Sequence, residues 1–215
     1  MLKINLMKTN KKDIAIIDYG CSNIKSIISS IEFNNYRPIL TNDINELKKY
    51  KKIIFPGVGN FGFAMKKINK IKLKNFIKNH VEQNNYLLGI CLGMQLLLKK
   101  SEESPKINGI EIFDNNVKKL ESNKKNESFP HISWKRIHAK SKSDILSNLN
   151  EKDVFYFTHS FFCNVTNKKN ILAFTKYNNK LFPSIINYKK CFGVQFHPEK
   201  SKSAGLKLIK NFLEM

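Results

Sequence analysis

A cysteine flanked by glycines, in Gly89-Ile-Cys91-Leu-Gly93, carries the sharpest chemical signal in the sequence. The segment has the form of a nucleophile elbow and stands between an apolar, strand-like run and an apolar, helix-like run. Small flanking residues let the chain pack closely around a central residue that is held in strained backbone angles. A helix N-terminus favours a thiolate through its dipole and its free N–H groups. The pattern indicates a nucleophilic cysteine, with a buried structural cysteine as the alternative.

A histidine that follows another apolar run offers a base for the thiol. His197 comes directly after Cys191–Phe196, at the carboxyl edge of a strand, where sites in α/β proteins form. Pro198 fixes the next turn, and Glu199 stands two residues on, able to orient the imidazole as the third member of a triad. The remaining histidines are two rival bases, His159 and His131, and two expected at the surface, His80 and His138.

Glycine is scarce in the chain, and five of its nine glycines fall near the cysteine or near Pro56-Gly57-Val58-Gly59. A glycine-rich loop after a strand is typical of a site lining. Its backbone N–H groups, together with that of Leu92, are suited to stabilise an oxyanion. An ordinary strand-to-helix turn is the alternative for this loop taken alone. The loop lacks the Gly-Lys-Ser/Thr of a Walker A phosphate loop.

The elements that position these residues alternate between strands and helices in the first half, which predicts a mostly parallel, doubly wound sheet. The predicted strands there are Asp13–Ile17, Pro38–Leu40, Lys52–Phe55 and Tyr86–Ile90. The predicted helices are one after a cap at Ser22 or Asn23, a long one over about Ala64–Gln83, and an apolar one over Leu92–Leu98.

The second half of the chain is patterned as short strands separated by loops. The predicted strands are Ile110–Ile112, Asp153–Phe157, Ile171–Phe174, Ser184–Ile186 and Cys191–Phe196, with a closing helix over Ala204–Leu213. A polar stretch over Glu121–Glu127 predicts a loop. We therefore expect an α/β protein with a mostly parallel central sheet flanked by helices and an antiparallel β extension. Residues 1–12 are expected to form an N-terminal extension, and residues 13–215 a single domain.

The composition has one extreme value, a formal net charge of +21 from 38 basic and 17 acidic residues. Such a charge suggests a nucleic-acid partner, yet only Arg37 and Arg136 among the basic residues are arginine, the usual reader of phosphates and base edges. Abundant lysine, asparagine and isoleucine instead indicate a codon bias. Four widely spaced cysteines form neither a disulfide scaffold nor a zinc motif, which favours a reducing, cytoplasmic setting. No apolar run reaches membrane-spanning length.

Three segments together resemble the signatures of the class I glutamine amidotransferases: Pro56-Gly-Val-Gly59, Gly89-Ile-Cys-Leu-Gly-Met-Gln95 and Gly193-Val-Gln-Phe-His-Pro-Glu199. Four more are similar to the glutaminase subunits of imidazole glycerol phosphate synthases: Ile17-Asp-Tyr-Gly20 with Asn23, Ser101-Glu-Glu103, Pro130-His131 with Trp134, and Phe196-His-Pro-Glu-Lys-Ser201 with Ala204-Gly-Leu206. The resemblance covers about residues 13–214. It departs from the family pattern at Cys21, at Ser133 in place of a glycine, and within Lys106–Asp114.

The resemblance implies a flavodoxin-like fold and assigns roles to residues at matching positions. Its catalytic triad would be Cys91, His197 and Glu199. Its oxyanion elements would be Gly57, Val58, Gly59 and the N–H of Leu92. Its glutamine-binding elements would be Gln95, Ser160 and Phe161, and its partner contacts Asn23, Ile132 and Trp134.

The implied activity is hydrolysis of L-glutamine to glutamate and ammonia, with no metal or cofactor. The ammonia would pass to a separate cyclase subunit of a heterodimer in histidine biosynthesis, with no membrane or nucleic-acid partner. One alternative is a related glutaminase that feeds a sugar-amidating synthetase. A lysine-rich nucleic-acid module is the alternative of another class.

Overall fold

The computed structural model describes residues 11–120, 130–177 and 180–215. The expected N-terminal extension over residues 1–12 lies almost wholly outside these residues. The expected loop over Glu121–Glu127 lies wholly outside them. Among the helices of the described ranges, none is long and apolar enough to cross a membrane.

The described residues build one large sheet and two small ones, with helices packed on the large sheet. The strands are β1 Asp13–Ile17, β2 Arg37–Thr41, β3 Lys52–Gly57, β4 Tyr86–Cys91, β5 Leu98–Ser101, β6 Phe113–Lys119, β7 His131–Arg136, β8 His138–Ala139, β9 Val154–His159, β10 Phe161–Asn164, β11 Ile171–Tyr177, β12 Lys180–Tyr188 and β13 Cys191–Val194. The α-helices are α1 Ile24–Phe33, α2 Ile44–Leu47, α3 Phe61–Lys70, α4 Leu73–Glu82, α5 Leu92–Leu96 and α6 Lys202–Glu214.

The large sheet has the strand order β2-β1-β3-β4-β13-β12-β11-β8. Its first five strands pair in parallel, and β12, β11 and β8 extend it with antiparallel pairs. The small sheets are β10-β6-β5 and β7-β9. The predicted α/β architecture, a mostly parallel sheet with an antiparallel extension, is therefore confirmed.

Helices cover both faces of the sheet, which explains why its central strands are apolar at nearly every position after their first residue. In β1, Ala15 and Ile17 join the cluster that contains the buried residues of α3 and α4. Ile14 and Ile16 join the opposite cluster, which contains the buried residues of α1 and α6. Successive residues of a strand point to opposite faces, so one short strand contributes to both cores.

The long helix expected over Ala64–Gln83 is two helices, and that prediction is wrong in this respect. α3 ends at Lys70, and Lys72 takes a left-handed conformation with φ of 57° before α4 begins at Leu73. The break lets each helix bury its own apolar stripe against the same core. The segment contains no proline or glycine at the break, so the sequence carries no local signal for it.

The region after Cys91 also differs from the prediction. The helix expected over Leu92–Leu98 ends at Leu96, and Leu98 begins β5. The strand expected over Ile110–Ile112 is absent, because those residues cap the short helix. The Ile110 N–H donates to the Leu96 carbonyl at 2.7 Å, and the Ile112 N–H donates to the Leu97 carbonyl at 2.8 Å. They satisfy carbonyls that the end of a helix leaves without partners.

Gly205 marks the closest approach between α6 and the turn that follows β13. A Cβ on this residue would overlap the Pro198 carbonyl oxygen. We expect Gly205→Ala to lower the free energy of unfolding by about 1–3 kcal/mol, the usual cost of overpacking. At an unobstructed helix position the same change raises stability by about 0.5–1 kcal/mol. Urea titration distinguishes the two signs, with the exposed Ser203→Ala as control; a stabilised Gly205→Ala variant would contradict this packing.

Candidate active site

Cys91 stands at the sharp turn between β4 and α5 with φ of 53° and ψ of −109°. Positive φ is strained for a residue with a Cβ, at a cost on the order of 1–3 kcal/mol. Two glycines make the turn possible. A Cβ on Gly93 would overlap the Phe55 carbonyl oxygen of β3, and a Cβ on Gly89 would lie 3.0 Å from the Gly93 backbone. The Cys91 side chain is buried but lines a cavity, so the turn holds its sulfur at the wall of that cavity.

His197 and Glu199 follow β13, the strand that pairs with β4 on the side away from β3. His197 Nδ1 lies 2.7 Å from Glu199 Oε1, and both side chains are almost wholly buried. Burial lowers the pKa of His197, but the neighbouring Cys91 and Glu199 outweigh it and raise that pKa to about 10. Because Nδ1 faces the carboxylate, Nε2 is the nitrogen that can exchange a proton with Cys91. The structure therefore brings together the three residues that the sequence singled out.

The cavity at this edge of the sheet has a volume of about 310 Å³, enough for a small polar molecule. Its walls come from the segments after β3, β5 and β13, from the turn between β4 and α5, from α5 itself, from Pro130 and from the end of β9 with the start of β10. The lining residues are Val58, Gly59, Cys91, Leu92, Gln95, Glu103, Pro130, Thr158, His159, Ser160, Phe161 and His197.

The glycine-rich segment lies beside Cys91, but its central N–H is already bonded. Gly57 is the register partner of Cys91 in the β3–β4 pair. The Val58 N–H donates to the Cys21 carbonyl at 2.7 Å, which points it away from the cavity. Gly59 has φ of 99° and open space around it. The peptide before Val58 must therefore turn before that N–H can serve an oxyanion.

The Ser160–Phe161 backbone forms the opposite wall, and Gln95 is tied to it. Gln95 Nε2 donates one hydrogen to the Phe161 carbonyl at 2.9 Å and the other to Gln195 Oε1 at 3.1 Å. Both amide hydrogens are thus engaged, which leaves Gln95 Oε1 as an acceptor. Gln95 is suited to receive an N–H from a molecule in the cavity rather than to donate to it.

His159 and His131, the two rival bases, form a buried hydrogen-bonded pair. His159 Nδ1 lies 2.8 Å from the Phe161 carbonyl, and His131 Nδ1 lies 3.0 Å from His159 Nε2. The Ser133 hydroxyl lies 2.7 Å from His131 Nε2. Because a carbonyl only accepts, His159 Nδ1 carries its proton, His131 Nδ1 donates to His159, and Ser133 donates to His131. All ring nitrogens of the pair are occupied, so neither histidine is free to act as a base.

Burial also keeps this pair neutral. It lowers the pKa of His131 to about 4, with a further contribution from the Lys135 charge. Burial, together with the neighbouring His131, lowers the pKa of His159 to about 3.

His80, expected at the surface, is another buried histidine, with Nε2 3.1 Å from the Tyr86 carbonyl, so that expectation is wrong. The ring of His80 caps the turn from α4 into β4, a role that its polar sequence neighbours conceal.

Glu103 and Tyr19 are among the residues at the site that received no role from the sequence. Glu103 lines the cavity, and its Oε2 accepts from the Phe61 N–H at 2.7 Å. The Tyr19 hydroxyl lies against Gly57, fully buried and without a hydrogen-bond partner in the described part of the chain. Both belong to segments that carried the family resemblance, which was the available signal. The packing of loops and the register of strands bring these side chains to the site, so their sequence positions alone did not show it.

The residues expected to meet a partner are partly exposed. On β7, Ile132 is 54% and Trp134 is 41% exposed, large values for apolar side chains. The ammonium of Lys202 lies 5.4 Å from the Trp134 ring centroid. Ile132 pairs in register with Thr158, which lines the cavity. Asn23 is half-buried, two residues after the Cys21 carbonyl that holds Val58.

Comparison with known proteins gives a match over almost the whole chain. The Glutamine amidotransferase class-I family matches residues 15–215. Three relatives are each named imidazole glycerol phosphate synthase subunit HisH. The protein of Methanocaldococcus jannaschii is 41% identical over 94% of this chain and 99% of that protein. That of Caldanaerobacter subterraneus is 39% identical over 94% and 98%, and that of Chlorobium chlorochromatii is 37% identical over 94% and 100%.

Solved structures share the fold at lower sequence identity. PurLQS from Thermotoga maritima superposes with a TM-score of 0.71 at 18% identity, over 95% of this chain and 98% of that chain. A glutamine amidotransferase from Thermotoga maritima superposes with a TM-score of 0.68 at 15% identity, over 94% and 96%. These likenesses concern the fold, and they agree with the sheet described above.

The neutral histidine pair predicts a specific loss of stability in acid. Folded His131 and His159 have lowered pKa values, so the unfolded chain binds more protons once the pH falls below about 6.5. The free energy of unfolding should fall as the pH drops towards 4, by a few kcal/mol in total. The raised pKa of His197 acts in the opposite direction, but its stabilising contribution is complete once the unfolded histidine is protonated, below about pH 6. The fall between about pH 6 and pH 4 therefore reports the neutral pair.

His131→Phe, which retains the ring stacking on Tyr177, should flatten this pH dependence when unfolding is followed by urea titration from pH 7 to pH 4. The exposed His138→Gln serves as control and should keep the wild-type slope. Equal slopes for His131→Phe and the wild type would contradict the neutral pair.

Proposed function

This chain belongs to the class-I glutamine amidotransferase family, and from that premise we propose that it is the glutaminase subunit of an imidazole glycerol phosphate synthase. In this role it hydrolyses L-glutamine and supplies ammonia to a separate cyclase subunit in histidine biosynthesis. The observation that carries the proposal is the buried arrangement of His197 between Cys91 and Glu199 at the cavity wall. The names of the relatives favour this pathway over sugar amidation.

The proposed reaction passes through a thioester. The Cys91 thiolate attacks the side-chain amide carbon of glutamine, and the tetrahedral intermediate expels ammonia as its C–N bond breaks. His197 gives the proton that the leaving ammonia needs, then takes one from water as that water attacks the thioester. The C–S bond breaks, glutamate leaves, and the thiolate returns. Glu199 keeps the imidazole oriented through Nδ1.

The oxyanion of each tetrahedral intermediate requires N–H donors. We assign these to Leu92, directly after the nucleophile, and to Val58 once its peptide has turned away from the Cys21 carbonyl. The glycines on either side of Val58 make that turn accessible. One such donor is worth about 3–4 kcal/mol of barrier, or a hundred- to a thousandfold in rate. With Val58 bonded to Cys21, the site is suited to a subunit that is nearly idle until it is activated.

The substrate contacts follow from the chemistry of the cavity wall. Glu103 is the one carboxylate among the described residues that line the cavity, and we assign it to the α-ammonium group of glutamine. The Ser160–Phe161 backbone and Gln95 Oε1 would hold the remaining polar groups. The cyclase would dock across Asn23, Ile132 and Trp134, next to the strand pair that forms one cavity wall.

Steady-state kinetics of glutamate release, measured with the cyclase and its substrate present, should separate catalysis from substrate binding. We expect Cys91→Ala and His197→Ala each to lower kcat roughly a thousandfold or more, because the members of one catalytic unit act together. Glu199→Gln should be milder, since it orients the base. Glu103→Gln should instead raise the KM for glutamine.

Cys191→Ala is the control, since Cys191 lies at the opposite end of β13 from His197. It should leave hydrolysis measurable. Wild-type turnover by Cys91→Ala would refute the proposal, and a crippling His159→Ala beside a silent His197→Ala would show that the base is misassigned.

The isolated chain should hydrolyse glutamine slowly, and the cyclase with its substrate should accelerate it about a hundred- to a thousandfold, the worth of one oxyanion donor. Glutamate release with and without the partner measures this ratio. Trp134→Ala should reduce the acceleration, whereas Phe33→Ala, which removes another exposed aromatic side chain, should not. Full activity of the chain alone would refute the proposal that the subunit is nearly idle without its partner, and it would favour an independent hydrolase.

A further inference from the structure

The nucleophile has a polar neighbour that the proposed mechanism does not use. Gln195 follows β13 two residues before His197, and its side chain is fully buried. Its Nε2 lies 3.8 Å from Cys91 Sγ, within the range of an N–H···S hydrogen bond. A buried amide requires partners for its polar atoms, and here one of those partners is the sulfur that must become an anion.

The orientation of the Gln195 amide follows from the network around it. The Phe161 carbonyl can only accept, so the group of Gln95 that faces it is Nε2. The second hydrogen on that nitrogen points to Gln195 at 3.1 Å, so the atom of Gln195 that receives it is Oε1. The other end of the Gln195 amide, Nε2, therefore faces Cys91. A flipped amide would set two donors against each other.

The network continues beyond Gln95, and each hydrogen bond in it has one defined donor and one defined acceptor. The Phe161 carbonyl also accepts from His159, which accepts from His131, which accepts from the Ser133 hydroxyl. Because both histidines are neutral, the direction of every bond in the chain is fixed. Five residues make up the network that orients Gln195, and none of them needs to move for the amide to keep facing the thiol.

We propose that Gln195 is a positioning residue that donates a hydrogen bond to the Cys91 sulfur and holds it, as thiolate, towards the cavity. His197 approaches the same sulfur as the proton-exchanging group, so Gln195 provides a fixed donor that remains after the proton has moved. Hydrogen bonds to a charged acceptor are the strong ones in proteins. This inference rests on the proposed function, in which Cys91 is the nucleophile.

The other ionisable groups that face Cys91 in the described residues are few. They are His197, the hydroxyl of Tyr19 and the thiol of Cys163. Burial raises the pKa values of Tyr19 and Cys163, so both stay neutral near pH 7. Gln195 does not titrate. A change in the pH dependence of Cys91 reactivity after a neutral substitution at Gln195 would therefore report the loss of the donor itself.

The test is the rate at which iodoacetamide alkylates Cys91 in the full chain, measured between pH 5 and pH 9 by peptide mass spectrometry. Two substitutions remove the donor in different ways. Gln195→Met leaves a neutral side chain of similar size, and Gln195→Glu keeps the acceptor for Gln95 but puts a carboxylate next to the sulfur. We expect the alkylation rate at pH 7 to fall about tenfold in Gln195→Met and further in Gln195→Glu. Both pH profiles should move to higher pH.

Glutamine hydrolysis by the same variants, assayed with the activating partner, should lose kcat about ten- to a hundredfold with little change in KM. Ser184→Ala is the matched control, because the Ser184 carbonyl accepts from the Gln195 N–H and its own buried hydroxyl has no partner among the described residues. It should keep the wild-type profile. Thermal unfolding compares the folding of all variants. Should Gln195→Met unfold, the neutral Gln195→Asn, whose shorter side chain withdraws the amide from the sulfur, takes its place.

The outcomes separate the two proposals. A Cys91 in the wild type that reacts no faster than the other cysteines would refute the proposed function itself. A reactive Cys91 whose alkylation profile and kcat stay unchanged in Gln195→Glu would refute the role of Gln195 and leave the proposed function standing.

Discussion

The strained turn at Cys91 is the constraint on which the rest of the site depends. A residue with φ of 53° at the end of a central strand needs a following helix that starts at once and lies directly on the neighbouring strand. Gly93 provides that contact by lying against the Phe55 carbonyl, where a Cβ has no room. The short helix α5 then ends after Leu96, and its last carbonyls are capped by residues around Ile110. Parallel pairing places the carboxyl ends of β3 and β13 on either side of the turn.

Three buried histidines lie near this turn, and their surroundings shift their pKa values in opposite directions. His197 lies between a carboxylate and a thiol, and these neighbours raise its pKa to about 10 despite its burial. His131 and His159 have only neutral partners and a nearby lysine, and burial lowers their pKa values to about 4 and about 3. One histidine is therefore suited to carry and exchange a proton near neutral pH. The other two are suited to hold a wall of the cavity with hydrogen bonds of fixed direction.

The sequence predicted the fold class, the central strands and the grouping of Cys91, His197 and Glu199 at one site, since apolar runs, a glycine-flanked cysteine and a His-Pro-Glu turn are local signals. It missed what depends on contacts between distant segments. Lys72 breaks the long helix without a glycine or proline, because both halves gain burial by turning. Ile110 caps a helix instead of forming a strand. The hydrogen bond from Val58 to Cys21 and the burial of His80 likewise follow from tertiary packing alone.

The central claim is that Cys91 forms a thioester with glutamine under the control of His197. Its most direct test is intact-protein and peptide mass spectrometry of His197→Asn, incubated with glutamine and the activating partner and then quenched in acid. His197→Asn also removes the proton donor for the leaving ammonia, so the thioester forms slowly, but solvent water can supply that proton. No group replaces the base that activates the attacking water, so hydrolysis is slowed more than formation and the intermediate should accumulate. The account predicts a mass increase equal to glutamine minus ammonia, confined to the peptide that contains Cys91 and absent in Cys91→Ala. A variant that releases glutamate with no such adduct, or an adduct on another residue, would contradict it.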